Sequence, residues 1–216
     1  YFKNNQIDIM YRDSEIYELI DIEKKGKSVR AIKEAFLNNQ VISSASGELD
    51  HKSTFEILTR EDLLKHFTPT QRKLFKDYVV WTRLIFERNT SSPAGKRIDL
   101  IYFMKKNKNN LVIKPNRAYG GKNVSIGLFT RQNSWETLID KCVKQPSEYV
   151  VQELAEIKSE AFPVFEGNKV AFKNSYVITG CAATDTGIAF LGRASAEPVV
   201  NVSRGGALIA TLLLDN

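Results

Sequence analysis

The chain has 216 residues, 43% of them hydrophobic, with 31 Lys and Arg against 25 Asp and Glu. That is enough apolar content for one large domain or two small ones, and a net charge of +6 with acids interspersed among the bases is no nucleic-acid footprint. Two cysteines far apart in sequence, Cys142 and Cys181, argue against a disulfide framework or a Cys-x-x-Cys site, and no apolar run reaches the roughly 20 residues of a membrane span. These bounds point to a cytoplasmic protein with an anionic small-molecule ligand and neither a membrane nor a nucleic-acid partner. A chain that opens at Tyr1 without methionine and closes on the strand-like A-T-L-L-L-D-N is expected to be part of a longer one.

In chain order, Gln6 to Tyr11 alternates as a strand does, and Ser14 to Leu19 and Ser28 to Leu37 carry helical periodicity around a charged turn at Glu23 to Lys27. Gln40 to Ser44 reads as a second strand, followed by a loop in which Asp50 is placed to cap a helix through Leu58. Thr59 to Phe67 is expected to be helical, its T-R-E-D opening having the capping-box pattern. Pro69 at a first turn predicts another helix to about Tyr78. Val79 to Glu87 is apolar and aromatic, and N-T-S-S-P-A-G-K reads as a surface loop. Ile98 to Met104 suits a helix or a strand, and Asp99 near its start with basic residues after it favours the helix. Ser134 to Lys144 is predicted helical with Trp135, Leu138, Ile139 and Cys142 as its core stripe. Strands are expected at Tyr149 to Leu154, Ala161 to Phe165, Lys169 to Thr179, Gly187 to Ala194 and Val199 to Val202, in a mostly antiparallel sheet. The division is therefore a helix-rich part over 1–110 and a strand-rich part over 111–216, with no internal repeat.

The stretch with the most chemistry is L-V-I-K-P-N-R-A-Y-G-G-K-N-V-S-I-G, residues 111–127. Leu111 to Ile113 reads as a buried strand that ends in Lys114, and a lysine there is costly to bury unless its ammonium meets an anion. Gly120 and Gly121 supply backbone N–H groups that can approach phosphate oxygens without a Cβ in the way, although the same pair also suits an ordinary hairpin turn. The stretch is neither a Walker loop nor a G-x-G-x-x-G motif.

L-V-I-K-P-N-R-A-Y-G-G-K-N-V followed by V-V-Q-E-L at 150–154 resembles the ATP-grasp fold, specifically the circularly permuted branch related to glutathionylspermidine synthases and carboxylate-amine ligases. Y-R-D-S-E at 11–15, D-H-K-S ending at Ser53 and V-V-W-T-R at 79–83 agree with that branch in order. The resemblance implies an α+β architecture of two subdomains with mostly antiparallel sheets closing on ATP. It places Lys114 at the α- and β-phosphates and Lys52 as a second phosphate lysine, although a lysine after a helix start also suits a solvated face. The 118–124 loop, with Gly120 and Gly121 as donors and Tyr119 as a water shield, would fold over the phosphates. Main-chain groups of Glu153 and Leu154 would read adenine with the Gln152 side chain nearby.

G-R-A-S-A-E-P-V-V-N-V-S-R-G-G at 192–206 is similar to a segment of peptide-tailing glutamate ligases of this fold. By that likeness Arg193 would face the γ-phosphate or an acylphosphate, and Asn201 and Arg204, with Gly205 and Gly206, would form a loop near the substrate carboxylate or phosphate. The family also uses magnesium held by an Asp and a Glu-x-Asn pair. This chain has no convincing Glu-x-Asn, since Val199 stands where the Glu before Asn201 would be, so the metal ligands are expected upstream of Tyr1 or lost. Neither His51 nor His66 belongs to a catalytic pattern. The resemblance implies an ATP-dependent ligase joining a small carboxylate, or a peptide tail, to an amine; the alternative is a non-catalytic module that binds nucleotide or metabolite.

Overall fold

The computed structural model describes residues 5–43, 51–118, 120–156, 158–202 and 205–211, the side chain of Glu166 excepted. The chain falls into two compact units, 1–54 and 55–216. It is mixed α and β with antiparallel sheets, apart from one short parallel pair. Among the described residues no helix is long and apolar enough to cross a membrane. The predicted cap at Asp50, and the C-terminal residues of the final strand-like run, lie outside the described residues.

In the N-terminal unit, β1 (Met10–Tyr11) pairs in parallel with β2 (Val41–Ile42), and α1 (Ile16–Lys24) and α2 (Arg30–Leu37) lie between them in sequence. The first strand is shorter than the alternation of residues 6–11 suggests, while α1 runs through the first half of the predicted turn. Both helices end in Schellman hydrogen bonds. Lys27 N–H reaches Ile22 O at 3.2 Å and Gly26 N–H reaches Glu23 O at 2.9 Å, and Gln40 and Asn39 repeat the pattern on Ala35 and Phe36.

The second unit opens with α3 (Thr54–Thr59), α4 (Glu61–Leu64) and α5 (Pro69–Tyr78). Thr68 caps α5 in a box with Gln71, as the Thr-Pro start predicts. The expected box at T-R-E-D does not form. The Thr59 hydroxyl instead donates to Phe55 O at 2.8 Å, Arg60 takes the cap position, and Asp62 pairs with Arg60. Next come β3 (Thr82–Leu84), then β4 (Asn89–Ser91) and β5 (Arg97–Asp99) as a hairpin where a plain loop was expected. Ser92 closes that hairpin by accepting from Gly95 and donating its N–H to Lys96 O.

Asp99 caps α6 (Leu100–Lys106) through Tyr102 N–H at 2.8 Å. Then β6 (Leu111–Pro115), β7 (Ser125–Ile126), α7 (Gln132–Val143) and β8 (Tyr149–Glu153) complete a first antiparallel sheet of order β3-β8-β6-β7. The second sheet, β12-β11-β10-β9, comprises β9 (Ser159–Glu166), β10 (Lys169–Ala183), β11 (Ile188–Ser195) and β12 (Ala207–Ile209). Its edge strand is not the expected Val199 to Val202. Pro198 has no N–H to give a ladder, and Asn201 O accepts Gly206 N–H at 2.9 Å, so 196–202 is no strand and Ala207 to Ile209 pairs with β11 instead.

One face of the first sheet holds the core. Leu111, Ile113 and Val151 pack against Met104, Trp135, Ile139 and Cys142, all essentially solvent-free. Each large side chain buried there contributes about 1.5–3 kcal/mol. Trp135 donates its indole N–H to Met104 O at 3.0 Å, so its polar atom is satisfied inside that core. Burial raises the Cys142 thiol to about 12, whereas Cys181 is exposed. A thiol reagent applied to the native protein should therefore modify Cys181 rapidly and Cys142 only on unfolding, which a timed Ellman titration would read. Two thiols reacting at the same fast rate would contradict the packing of α7.

Candidate functional site

Strand register decides which side chains share a face. Lys114 pairs with Val150 and Val112 pairs with both Gln152 and Ile126, so Lys114, Gln152 and Ile126 stand on the face of the first sheet opposite the core. On the second sheet Tyr176 pairs with Ser195 and Ile178 pairs with Arg193, so Arg193 stands on the same face as Tyr176. A cleft of about 920 Å³ is lined by Ile126, Phe129 and Thr130 from the first sheet's end and by Tyr176, Glu197 and Val199 from the second. The faces that carry Lys114 and Arg193 thus each contribute a wall residue to one cleft.

Gly120 and Gly121 lie in the β6–β7 connection with φ of 69° and 70°, followed by Asn123 at 57°. A run of left-handed backbone is what glycine permits at no steric cost, and it turns successive N–H groups toward a common side. Gly120 lies six residues after Lys114. Tyr119, assigned above as a water shield, lies outside the described residues, as does Arg204.

The cleft wall beyond β7 is held rigidly. Gly127 sits under Lys108, where an added Cβ would lie 1.9 Å from the Lys108 carbonyl oxygen. The Lys108 ammonium donates to Gly127 O at 2.7 Å and to Thr130 O at 2.8 Å, fixing the 3-10 turn that presents Phe129 and Thr130.

Arg193 is half-buried and its Nε is buried without a hydrogen-bond partner among the described residues. Leaving such a donor unsatisfied costs about 1–3 kcal/mol, so the site gains from an acceptor brought in by a ligand. Asn201, after β11, is half-buried, its carbonyl taken by Gly206. A Cβ on Gly206 would come within 2.7 Å of that oxygen and 3.1 Å of Ala194 O, so this glycine is required for loop closure against β11.

At the end of β8 three groups already have partners within the chain. Gln152 is 2% exposed and donates its side-chain amide to Thr82 Oγ1 at 2.9 Å, a bond between β8 and β3. Glu153 N–H is spent on Trp81 O at 2.9 Å and Leu154 N–H on Asn110 O at 2.8 Å, so a base read at this strand end is read by other groups than these two donors. The Glu153 side chain follows the core face of the sheet, opposite to Lys114. Lys52 lies half-buried in the N-terminal unit, in the turn before α3.

Sequence reasoning passed over a heavily bonded ionic group among the described residues. Arg83 is fully buried and donates to Thr90 Oγ1 (2.8 Å), Thr82 O (2.7 Å), Thr59 Oγ1 (3.1 Å) and Ser91 Oγ (2.9 Å), with its guanidinium 4.9 Å from the Trp81 ring centre. Burial lowers its pKa to about 10, which leaves it charged at neutral pH. Nearby, Glu56 is 4% exposed and binds Arg88 at 2.8 Å and Leu84 N–H at 2.6 Å. The signal was an arginine inside the apolar run V-V-W-T-R-L-I-F, tolerable there only with a full set of acceptors.

Among the described residues no group of three or more His, Cys, Asp or Glu side chains is placed to hold a metal ion. In comparisons with known proteins, no protein-family model and no curated protein matches the chain.

Proposed function

We propose that the chain is the nucleotide-binding part of an ATP-dependent carboxylate-amine ligase with a circularly permuted ATP-grasp fold. The observation that carries the reading is that both four-stranded antiparallel sheets contribute wall residues to the 920 Å³ cleft, and that Lys114 and Arg193, which do not themselves line it, stand on the sheet faces that supply Ile126 and Tyr176. The left-handed glycine pair between β6 and β7 supports it, since it supplies phosphate donors next to the lysine.

In this reading a carboxylate oxygen attacks the γ-phosphorus of ATP, the bond to the bridging oxygen breaks, and ADP leaves. An acylphosphate remains. The amine nitrogen then attacks the acyl carbon, the carbon–oxygen bond to phosphate breaks, and the nitrogen loses a proton to give an amide and inorganic phosphate. Lys114 neutralises the polyphosphate in both ground state and transition state. Arg193 meets the transferring phosphoryl group, where a planar fork suits the oxygens better than a point charge. The magnesium ions that the resemblance implies do not fit the described residues, and no step here is routed through them.

That same lack of a ligand group among the described residues favours a second reading, a module that holds nucleotide without ligating. Equilibrium ATP binding tests what the two readings share. Lys114→Ala should weaken ATP by about 1.5–3 kcal/mol, the range for a charge-assisted hydrogen bond. Unchanged affinity in a folded variant would contradict both.

A further inference from the structure

A second cavity, of about 480 Å³, opens on the core side of the first sheet, away from Lys114. Its apolar wall includes Leu58, Leu64, Phe75 and Trp81. Several neutral polar groups of that wall already have partners within the protein. Trp81 Nε1 donates to Ser91 O at 2.9 Å, the Thr59 hydroxyl to Phe55 O at 2.8 Å, and Ser91 Oγ accepts from Arg83 at 2.9 Å. Recognition in this cavity therefore falls to charge and apolar shape.

The charges are segregated by wall. Helix α5 supplies Arg72, Lys73 and Lys76, of which Lys73 is paired with Asp77 at 2.5 Å. Arg72 and Lys76 lie one turn apart on the same helix face. Glu61 enters from α4, its Oε1 beside the Gly95 turn, and Glu153 from the end of β8. Among the described residues, none of Arg72, Lys76, Glu61 and Glu153 has an ion-pair partner. Two cations and two carboxylates thus line one amphipathic cavity from different elements without neutralising each other.

We propose that this cavity binds a free α-amino acid with an apolar or aromatic side chain. The ligand's carboxylate meets Arg72 and Lys76, its ammonium meets Glu61 and Glu153, and its side chain lies against Phe75 and Trp81. A zwitterion with an apolar appendage satisfies all three walls, whereas a simple anion leaves the carboxylates unopposed and a neutral solute finds the wall's polar groups already engaged. The site is independent of the ligase reading, because it lies on the opposite face of the sheet.

Calorimetric titration of the whole chain tests it with L-phenylalanine and L-leucine, and with two probes that each lack one charge, N-acetyl-L-phenylalanine and phenethylamine. At least one amino acid should bind saturably, and each probe should bind about tenfold or more weaker than phenylalanine. The four charged side chains are exposed, so R72Q/K76Q and E61Q/E153Q should fold as the wild type does. The first pair should remove the preference for phenylalanine over phenethylamine, and the second the preference over its N-acetyl form. No saturable binding of either amino acid, equal binding of phenylalanine and its N-acetyl form, or unchanged phenylalanine binding in both double variants would overturn the proposal. Loss of ATP binding in Lys114→Ala with phenylalanine binding intact would support two separate sites.

Discussion

Gly127→Ala should destabilise the chain by about 3 kcal/mol or more, among the largest effects expected of any single methyl group. The added Cβ would fall 1.9 Å from the Lys108 carbonyl oxygen and 2.8 Å from its carbon, and both are backbone atoms that no rotamer change can move. Lys108 cannot retreat cheaply, because its own ammonium is bonded to Gly127 O and Thr130 O. Relief requires breaking that clamp and shifting the turn that presents Phe129 and Thr130 to the cleft. Urea denaturation should show the midpoint falling with little change in slope. A loss under about 1 kcal/mol would mean that the two turns are not packed as described.

Arg83→Met should cost about 3–5 kcal/mol. The substitution keeps most of the stem's volume but strips the guanidinium from the buried carbonyl of Thr82 and from half-buried acceptors, the carbonyl of Thr59 and the hydroxyls of Thr90 and Ser91. The buried Thr82 carbonyl is then left without this donor and the half-buried groups lose theirs, which costs more than the arginine's own favourable contacts would suggest. Arg83→Lys should recover less than half of the loss, since one ammonium cannot span Thr59, Thr90 and Ser91 together. If the methionine variant were as stable as the wild type, the network would be an accessory to β3 and β4 and not the element that joins them to α3.

How much of this was legible in the sequence follows from the range of the interactions involved. Helix α5 could be read from Thr68, Pro69 and Gln71, and α6 from Asp99, because capping joins residues three positions apart. Leu111 to Ile113 could be read as a buried strand from composition alone. The hairpin over 89–99 was hidden by a turn-rich run, since Ser and Thr suit a loop and an edge ribbon equally. The edge strand was misplaced because Val199 to Val202 is as β-prone as Ala207 to Ile209, and only the loop closure at Gly206 decides between them.

The candidate site divides the same way. Lys114 and the glycine pair carry local signals, and the register places Lys114 on the cleft-bearing face of the first sheet. Gln152 carries none, because its partner Thr82 is 70 residues away and only the antiparallel pairing of β8 with β3 brings them together. Arg83 likewise depends on Thr59 and Thr90 from separate elements. Pairing at such distances leaves no period in the sequence from which it could be inferred.

The central claim is that this cleft transfers a phosphoryl group, and Arg193 tests it most directly. Its unpartnered Nε suits charge that appears on a ligand, and in the ligase that charge is greatest in the transition state. The measurement is ADP release by the full-length protein over a panel of carboxylates and amines, run beside equilibrium ATP binding, for the wild type and Arg193→Lys. Wild type should release ADP only when a carboxylate and an amine are both present. Arg193→Lys should then lower kcat by about 10²-fold while ATP affinity stays within about threefold. Wild-type protein that binds ATP yet releases no ADP with any pair, or a variant that loses affinity and rate equally, would contradict the account.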